Sequence, residues 1–158
     1  MILAVFVSSC DNDNKIEEEL NDEIPVLVAF NKEEFDANKA NWNNLNLQNY
    51  TYEFGYTPLL EYKISVEQGA IVKADLIGSN SFGYLTIDQI FEEIEDNYPE
   101  DGKIVLGEDQ VSYLKEIHVV YHSEYYYPIE VKYIYGVTEP VEIDGLFHRF
   151  VNAFSIED

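Results

Sequence analysis

Tyr50-Thr51-Tyr52-Glu53-Phe54, Tyr62-Lys63-Ile64-Ser65-Val66 and Val72-Lys73-Ala74-Asp75-Leu76 alternate apolar and polar residues along one stretch of the chain. A period of two puts the apolar side chains on one face of an extended strand and leaves the polar ones on the other. Pro58 closes the first run, and Gln68-Gly69 is a tight-turn signal between the second and third. Parallel neighbours need a crossover of about a dozen residues, so strands joined this closely predict an antiparallel meander.

On both sides of the meander the period lengthens to that of a helix. Upstream, Asn31 with Glu34 resembles a capping box, and Phe35, Trp42 and Leu45 recur near whole turns, predicting an amphipathic helix from about residue 32 to 47. Downstream, Thr86 and Gln89 form the clearest capping box in the chain. The helix they open puts Ile87, Ile90, Phe91, Ile94 and Tyr98 on one face, with Glu92, Glu93 and Glu95 outside and Pro99 just beyond its end. Such a stripe is made to lie on a sheet.

Further on, Ile117-Val119-Tyr121 alternate with Glu116, His118 and His122, and Ile129-Val131-Tyr133-Tyr135 alternate with Glu130 and Lys132. These predict two more strands, joined near Ser123 to Tyr127, then a loop from Gly136 to Gly145 with Pro140 and a last strand over residues 146–154. Residues 103–112 read as either loop or short strand. Ile24 to Phe30 read as a strand or a packed lead-in, which Pro25 keeps away from the middle of a sheet. The expected fold is α+β, with two helices on one face of a five- or six-stranded, mostly antiparallel sheet in the order α-β-β-β-α-β-β-β.

The beginning of the chain supplies an address. Val7-Ser8-Ser9-Cys10, a branched apolar residue and two small ones before the only cysteine, looks like the signal of a bacterial lipoprotein, in which the thiol is acylated and residues 1–9 are removed. The apolar run before it, Ile2 to Val7, is shorter than the roughly 7–15 residues of a secretory leader and lacks a basic segment, so the natural leader is expected to begin upstream of Met1. The alternative is a short buried strand with Cys10 an ordinary thiol. Acyl chains on Cys10 would hold the protein to a membrane. Asp11 to Glu23 holds seven acids and one lysine and reads as a solvated, self-repelling tether. Residues 10–30 are thus tether and apolar lead-in, and residues 31–158 one domain. Acidic residues directly after a lipidated cysteine resemble a surface-export signal, and an aspartate there also resembles an inner-membrane retention signal, so the membrane stays open.

Hydrophobic residues make up 46 % and aromatics 15 %, enough for a packed core, while 31 acidic against 9 basic residues give a net charge of −22. That sign argues against nucleic acid and anionic lipid headgroups as partners. The motifs that would carry chemistry fail one by one. Asn80 in Gly78-Ser79-Asn80-Ser81-Phe82-Gly83 stands where a nucleophile elbow needs serine. Asp11 and Asp13 begin a calcium-loop pattern, but Lys15 and Ile16 stand where it needs a third ligand and a glycine. His118 and His122 on one strand would lie roughly 13 Å apart, too far for one metal unless His148 joins from elsewhere. Glu92-Glu93, Glu95-Asp96 and Glu100-Asp101 fall on a helix exterior and a turn, where carboxylates are solvated. No cofactor motif is present.

Tyrosine is the surplus, with 13 in the chain, and Tyr121, Tyr125, Tyr126, Tyr127, Tyr133 and Tyr135 crowd one strand pair and its turn. A rigid apolar ring with a polar tip suits binding surfaces, and Tyr125, Tyr126 and Tyr127 cannot all face inward, which makes them the candidate interaction surface.

Together, the Trp42 helix running into Tyr50-Thr51-Tyr52, the Val66-x-x-Gly69-x-x-Val72 hairpin, the Leu85-Thr86-Ile87-Asp88-x-Ile90-Phe91 helix start and the Tyr126-Tyr127-Pro128-Ile129-Glu130-Val131 strand start resemble the uncharacterised bacterial lipoproteins grouped as domain of unknown function 6174. The likeness spans roughly residues 38 to 135 and implies a lipoprotein address and no established activity. Members often carry a Cys-x-Cys pair in the first strand, where this chain has Phe54 to Thr57, which implies no disulfide or metal clip there. They also carry a glycine before the Tyr-Pro, where this chain has Tyr126.

The expected function is a membrane-anchored cell-envelope lipoprotein acting as a non-enzymatic binding or interaction module, its partners the membrane through its lipid and an envelope protein or small ligand. An inhibitor-like protein that blocks another envelope protein would look the same from sequence. The alternative is a metal-dependent or hydrolytic enzyme whose histidines and carboxylates meet only in space. Intact-mass measurement on protein from native membranes should find diacylglycerol on the Cys10 sulfur, and Cys10→Ser should move the chain to the soluble fraction. A native chain that keeps Met1 and a bare thiol would remove the anchor from the reading.

Overall fold

The computed structural model describes residues 25–56, 60–77, 83–107, 110–137 and 147–157. Cys10 with the leader and acidic tether lies outside the described residues, as do residues 78–82 of the glycine-serine loop and the connection from 138 to 146. The described chain runs β1 (Pro25–Leu27), α1 (Lys32–Leu45), β2 (Tyr50–Tyr56), β3 (Leu60–Glu67), β4 (Ala70–Leu76), α2 (Ile87–Asn97), β5 (Lys103–Val105), β6 (Ser112–Tyr121), β7 (Pro128–Val137) and β8 (Phe147–Ile156). Six strands form an antiparallel sheet in the order β4-β3-β2-β8-β7-β6, and β1 pairs β5 in a separate two-stranded ribbon. The fold is α+β, as the patterning predicts, with three strands of the main sheet after each helix.

The capping signals act as read. Thr86 Oγ1 accepts from the Gln89 amide at 3.1 Å while Gln89 Oε1 accepts from the Thr86 amide at 2.9 Å, and Asn31 Oδ1 accepts from the Glu34 amide at 3.2 Å. Gln68 and Gly69, with φ of 52° and 76°, close the β3–β4 hairpin in the left-handed conformation such a two-residue turn requires.

Helix α1 ends earlier than its stripe suggests, because Asn46 caps it at φ 49°. That turn carries Leu47 toward the core and leaves Leu45, expected inside, 37 % exposed. Within the ambiguous segments, residues 25–27 and 103–105 pair as the β1–β5 ribbon and Ser112 begins β6, with Pro25 at an exposed end where its missing amide is harmless; residues 24, 108 and 109 lie outside the described residues.

Register shifts decide which side chains enter the core, as two of them show. Between β3 and β4 the register shifts after Ser65, so Ile71 stands opposite Val66 and packs on the core while Val72, expected inside, is 54 % exposed. In β8, Ala153 at φ 48° marks the shift against β2, and it lets Val151 and Phe154 lie on the same face.

Tyr50, Tyr52 and Phe54 of β2 and Ile64 and Val66 of β3 are buried beneath Phe35 and Trp42 of α1 and Ile87, Ile90, Phe91 and Ile94 of α2. Trp42 meets Tyr50, Tyr127 and Phe154 edge-on, and its indole donates to Asp88 Oδ1 at 2.9 Å, tying α1 to the first turn of α2. Arg149 on the core face of β8 reaches Glu93 of α2 and lies over the Tyr56 ring at 5.1 Å. Both helices therefore cover one face, and the other face of the sheet is open.

Burial raises the phenols of Tyr50, Tyr52, Tyr121 and Tyr133 far above their ordinary value and pushes Tyr127 up to about 12. A group raised in the folded state contributes stability that is complete below its unfolded pKa. It is lost as the pH climbs from about 10, at about 1.4 kcal/mol per pH unit for each tyrosine protonated only when folded. In an alkaline titration the last tyrosinates should appear together with loss of the circular dichroism signal. Complete ionisation of all the tyrosines with the fold intact would contradict this account of the core.

Candidate functional site

Strand β6 ends the sheet, and part of its outer edge is already paired. The Ala29 amide donates to the Lys115 carbonyl and the Ile117 amide donates to the Ala29 carbonyl, both at 2.9 Å, in a single parallel bridge between residues 29 and 116. The chain then leaves the edge, because Phe30 and Asn31 turn it into α1. Farther along β6, a groove of about 370 Å³ opens between the strand edge and the start of α1, lined by Ala29 to Asn31, Glu34, Glu116 to Val119 and Tyr121.

Backbone groups alternate in direction along a strand, and Ile117 sends its amide outward to Ala29. The Ile117 carbonyl and both backbone groups of Val119 therefore point the same way, into the groove. Phe30, Val119 and Tyr121 are half-buried and give it an apolar wall. Two carboxylates, Glu34 and Glu116, and the imidazole of His118 line it, with no lysine or arginine among its described lining residues. Nearby Lys32 is engaged by Asp36 on the next turn of the helix. The Tyr121 ring stacks on Phe91, and its buried hydroxyl has no hydrogen-bond partner among the described residues. Burial foremost, then Glu34 and Asp36, raises its pKa.

Immediately beyond Tyr121 comes the tyrosine-rich turn. The His122 amide donates to the Tyr127 carbonyl at 2.8 Å, the Tyr126 amide donates to the His122 carbonyl at 2.9 Å, and His122 Nδ1 accepts from the amides of Glu124 and Tyr125 at 3.2 Å each. The imidazole thus acts as an Asx-like turn cap and stacks on Tyr127 at 5.0 Å. The three tyrosines expected to form a surface have different places. Tyr127 is 3 % exposed and packs between Trp42 and Phe154, so its ring is not available to a partner. Tyr125 is half-buried against Phe154 and His122. Tyr126 is half-buried, has no side-chain hydrogen bond or ring pairing among the described residues, and sits at φ +63°, a conformation that costs a side-chain-bearing residue about 1–2 kcal/mol.

The histidines stay apart in role. His118 and His148 flank Lys132 on the open face of the sheet, across the β6, β7 and β8 register. His148 Nε2 lies 3.2 Å from Glu130 Oε2, and Lys132, foremost through its hydrogen bond, holds the Glu130 carboxyl below its ordinary range. His118 Nδ1 is 3.9 Å from Glu116 Oε1, beyond a hydrogen bond, and His122 is occupied by the turn. Among the described residues no group of three or more histidine, cysteine or acidic side chains could hold a metal ion, and no helix is long and apolar enough to cross a membrane.

No protein-family model, curated protein or solved structure matches the chain. Sequence reading missed the groove: it depends on Ala29 meeting Lys115 and Ile117, which no local pattern announces. Only the short apolar run ending in a helix cap hinted that residues 24–30 were held in place.

The turn makes paired predictions of opposite sign. Tyr126→Gly should stabilise the fold by up to about 1 kcal/mol by removing the left-handed strain. His122→Phe, which keeps the stack and loses the acceptor, should destabilise it by about 1 kcal/mol. Denaturant midpoints of the two variants against the parent measure both, and equal signs would contradict the turn geometry.

Proposed function

We propose that this chain is a lipid-anchored binding module of the cell envelope, held to a membrane through Cys10, and that it engages its partner at the groove beside β6 and the adjoining tyrosine turn. The lipobox-like start and the likeness to uncharacterised lipoproteins support the anchor. The groove supports the binding half and is the observation that carries it, because an open strand edge under a helix start offers hydrogen bonds and an apolar wall together. The strain kept at Tyr126, where glycine would relieve it, fits a ring held for contact. This ring stands one turn beyond the groove.

Of Tyr125, Tyr126 and Tyr127, the surface offers Tyr126 with part of Tyr125, because Tyr127 is buried. The acidic coat, at −22, keeps polyanions off and suits a neutral or cationic partner.

A photo-crosslinking benzoylphenylalanine in place of Tyr126, in cells making the native chain, should trap a discrete envelope component. The same residue in place of Tyr84, which packs on Tyr62 at the opposite half of the sheet, should not. Equal labelling at both positions, or none at Tyr126, would count against this binding surface.

A further inference from the structure

Beyond a surface, the groove specifies a kind of occupant. We propose that β6 takes up an extended, cation-bearing polypeptide segment as an added strand, continuing the edge pairing that Ala29 begins; this rests on the groove being the binding surface.

Ala29 shows that this edge accepts an extended backbone partner at one residue, since both of its backbone groups are bonded to β6 at 2.9 Å. Beyond it, the Ile117 carbonyl and the Val119 amide and carbonyl face the groove in the same sense. An extended segment pairing with them would place alternate side chains toward Phe30, Val119 and Tyr121 and the others toward solvent, the way strand addition separates affinity from specificity.

Charge selects among the possible occupants. Glu34 and Glu116 line the groove with no lysine or arginine among its described lining residues to balance them, His118 standing 3.9 Å from Glu116, in a chain of net charge −22. The protein's own tether, with seven acids and one lysine over Asp11 to Glu23, is repelled from it, as is the edge of a second copy. A segment carrying lysine or arginine beside apolar residues is attracted and satisfies both carboxylates.

The test uses an acetylated and amidated Lys-Val-Lys-Val-Lys peptide, its glutamate counterpart, and the lysine peptide methylated on alternate backbone nitrogens, each added to the full chain. The lysine peptide should bind and slow hydrogen exchange at the Val119 amide, while the methylated and glutamate peptides should bind at least about tenfold more weakly. Val119→Pro, which removes an outward-facing donor at an edge where proline is tolerated, should weaken the lysine peptide by about tenfold with the circular dichroism spectrum unchanged. Glu34→Gln keeps its hydrogen bond from Asn31, and Glu116→Gln keeps its shape. Each should cost about threefold at low salt. Protection away from Val119, or indifference to backbone methylation, would overturn the proposal by showing only attraction to a negative surface. Discrete crosslinking through Tyr126 without peptide binding would leave the binding surface standing and reject a cationic strand as its occupant.

Discussion

Trp42 is where the helical layer is fastened to both halves of the sheet. Its ring meets Tyr50 of β2, Phe154 of β8 and Tyr127 at the mouth of β7, and its indole bonds to Asp88 in the first turn of α2. A sheet covered on one side only must draw its cohesion from that side. Large aromatic rings suit the task because each spans several strands, and here they form a connected set from Phe30 and Tyr98 through Phe35 and Phe91 to Tyr121. The ion pair between Arg149 and Glu93 fastens the middle of α2 to β8. Where the indole sits, the position of α1 follows, and with it the wall of the groove beside β6.

Much of this architecture was legible because local patterning and tertiary packing agree. The alternation in Tyr50 to Phe54 and Tyr62 to Val66 survives into the folded sheet, and the Thr86 to Gln89 box caps the helix it predicts. Misreadings fall where a single backbone angle intervenes. Asn46 turns Leu45 out and Leu47 in, and the bulge at Val72 exchanges it for Ile71. Alternation assumes an unbroken pleat, and an extra residue reverses the face of everything after it. Of the candidate site, tyrosine enrichment drew attention to the turn but did not separate its three rings, because composition does not register that Tyr127 lies beneath a tryptophan. The groove itself was illegible: a bridge from Ala29 to a strand far along the chain leaves no periodic trace.

Edge and turn belong to one device. The hairpin that holds Tyr126 in its left-handed conformation also fixes where β6 stops, and the bonds from His122 to the turn amides set the spacing between the last open edge group and that ring. At the opposite border, β4 presents Lys73 paired with Asp75 beside the bulge at Val72, a charged and twisted margin of the kind that discourages pairing. The sheet is thus asymmetric, guarded on one side and receptive on the other.

The last of the described strands, β8, is also a central strand of the sheet, lying between β2 and β7. Until residues 147–156 are available, the first meander has no neighbour for β2 and the two halves share no continuous ladder. Pairing residues 50–56 with residues 149–156 closes a long span of the chain, an event of high contact order that comes late and slowly. A chain that has formed only its first meander therefore cannot yet close the sheet, and the joining of its two halves waits on residues 147–156.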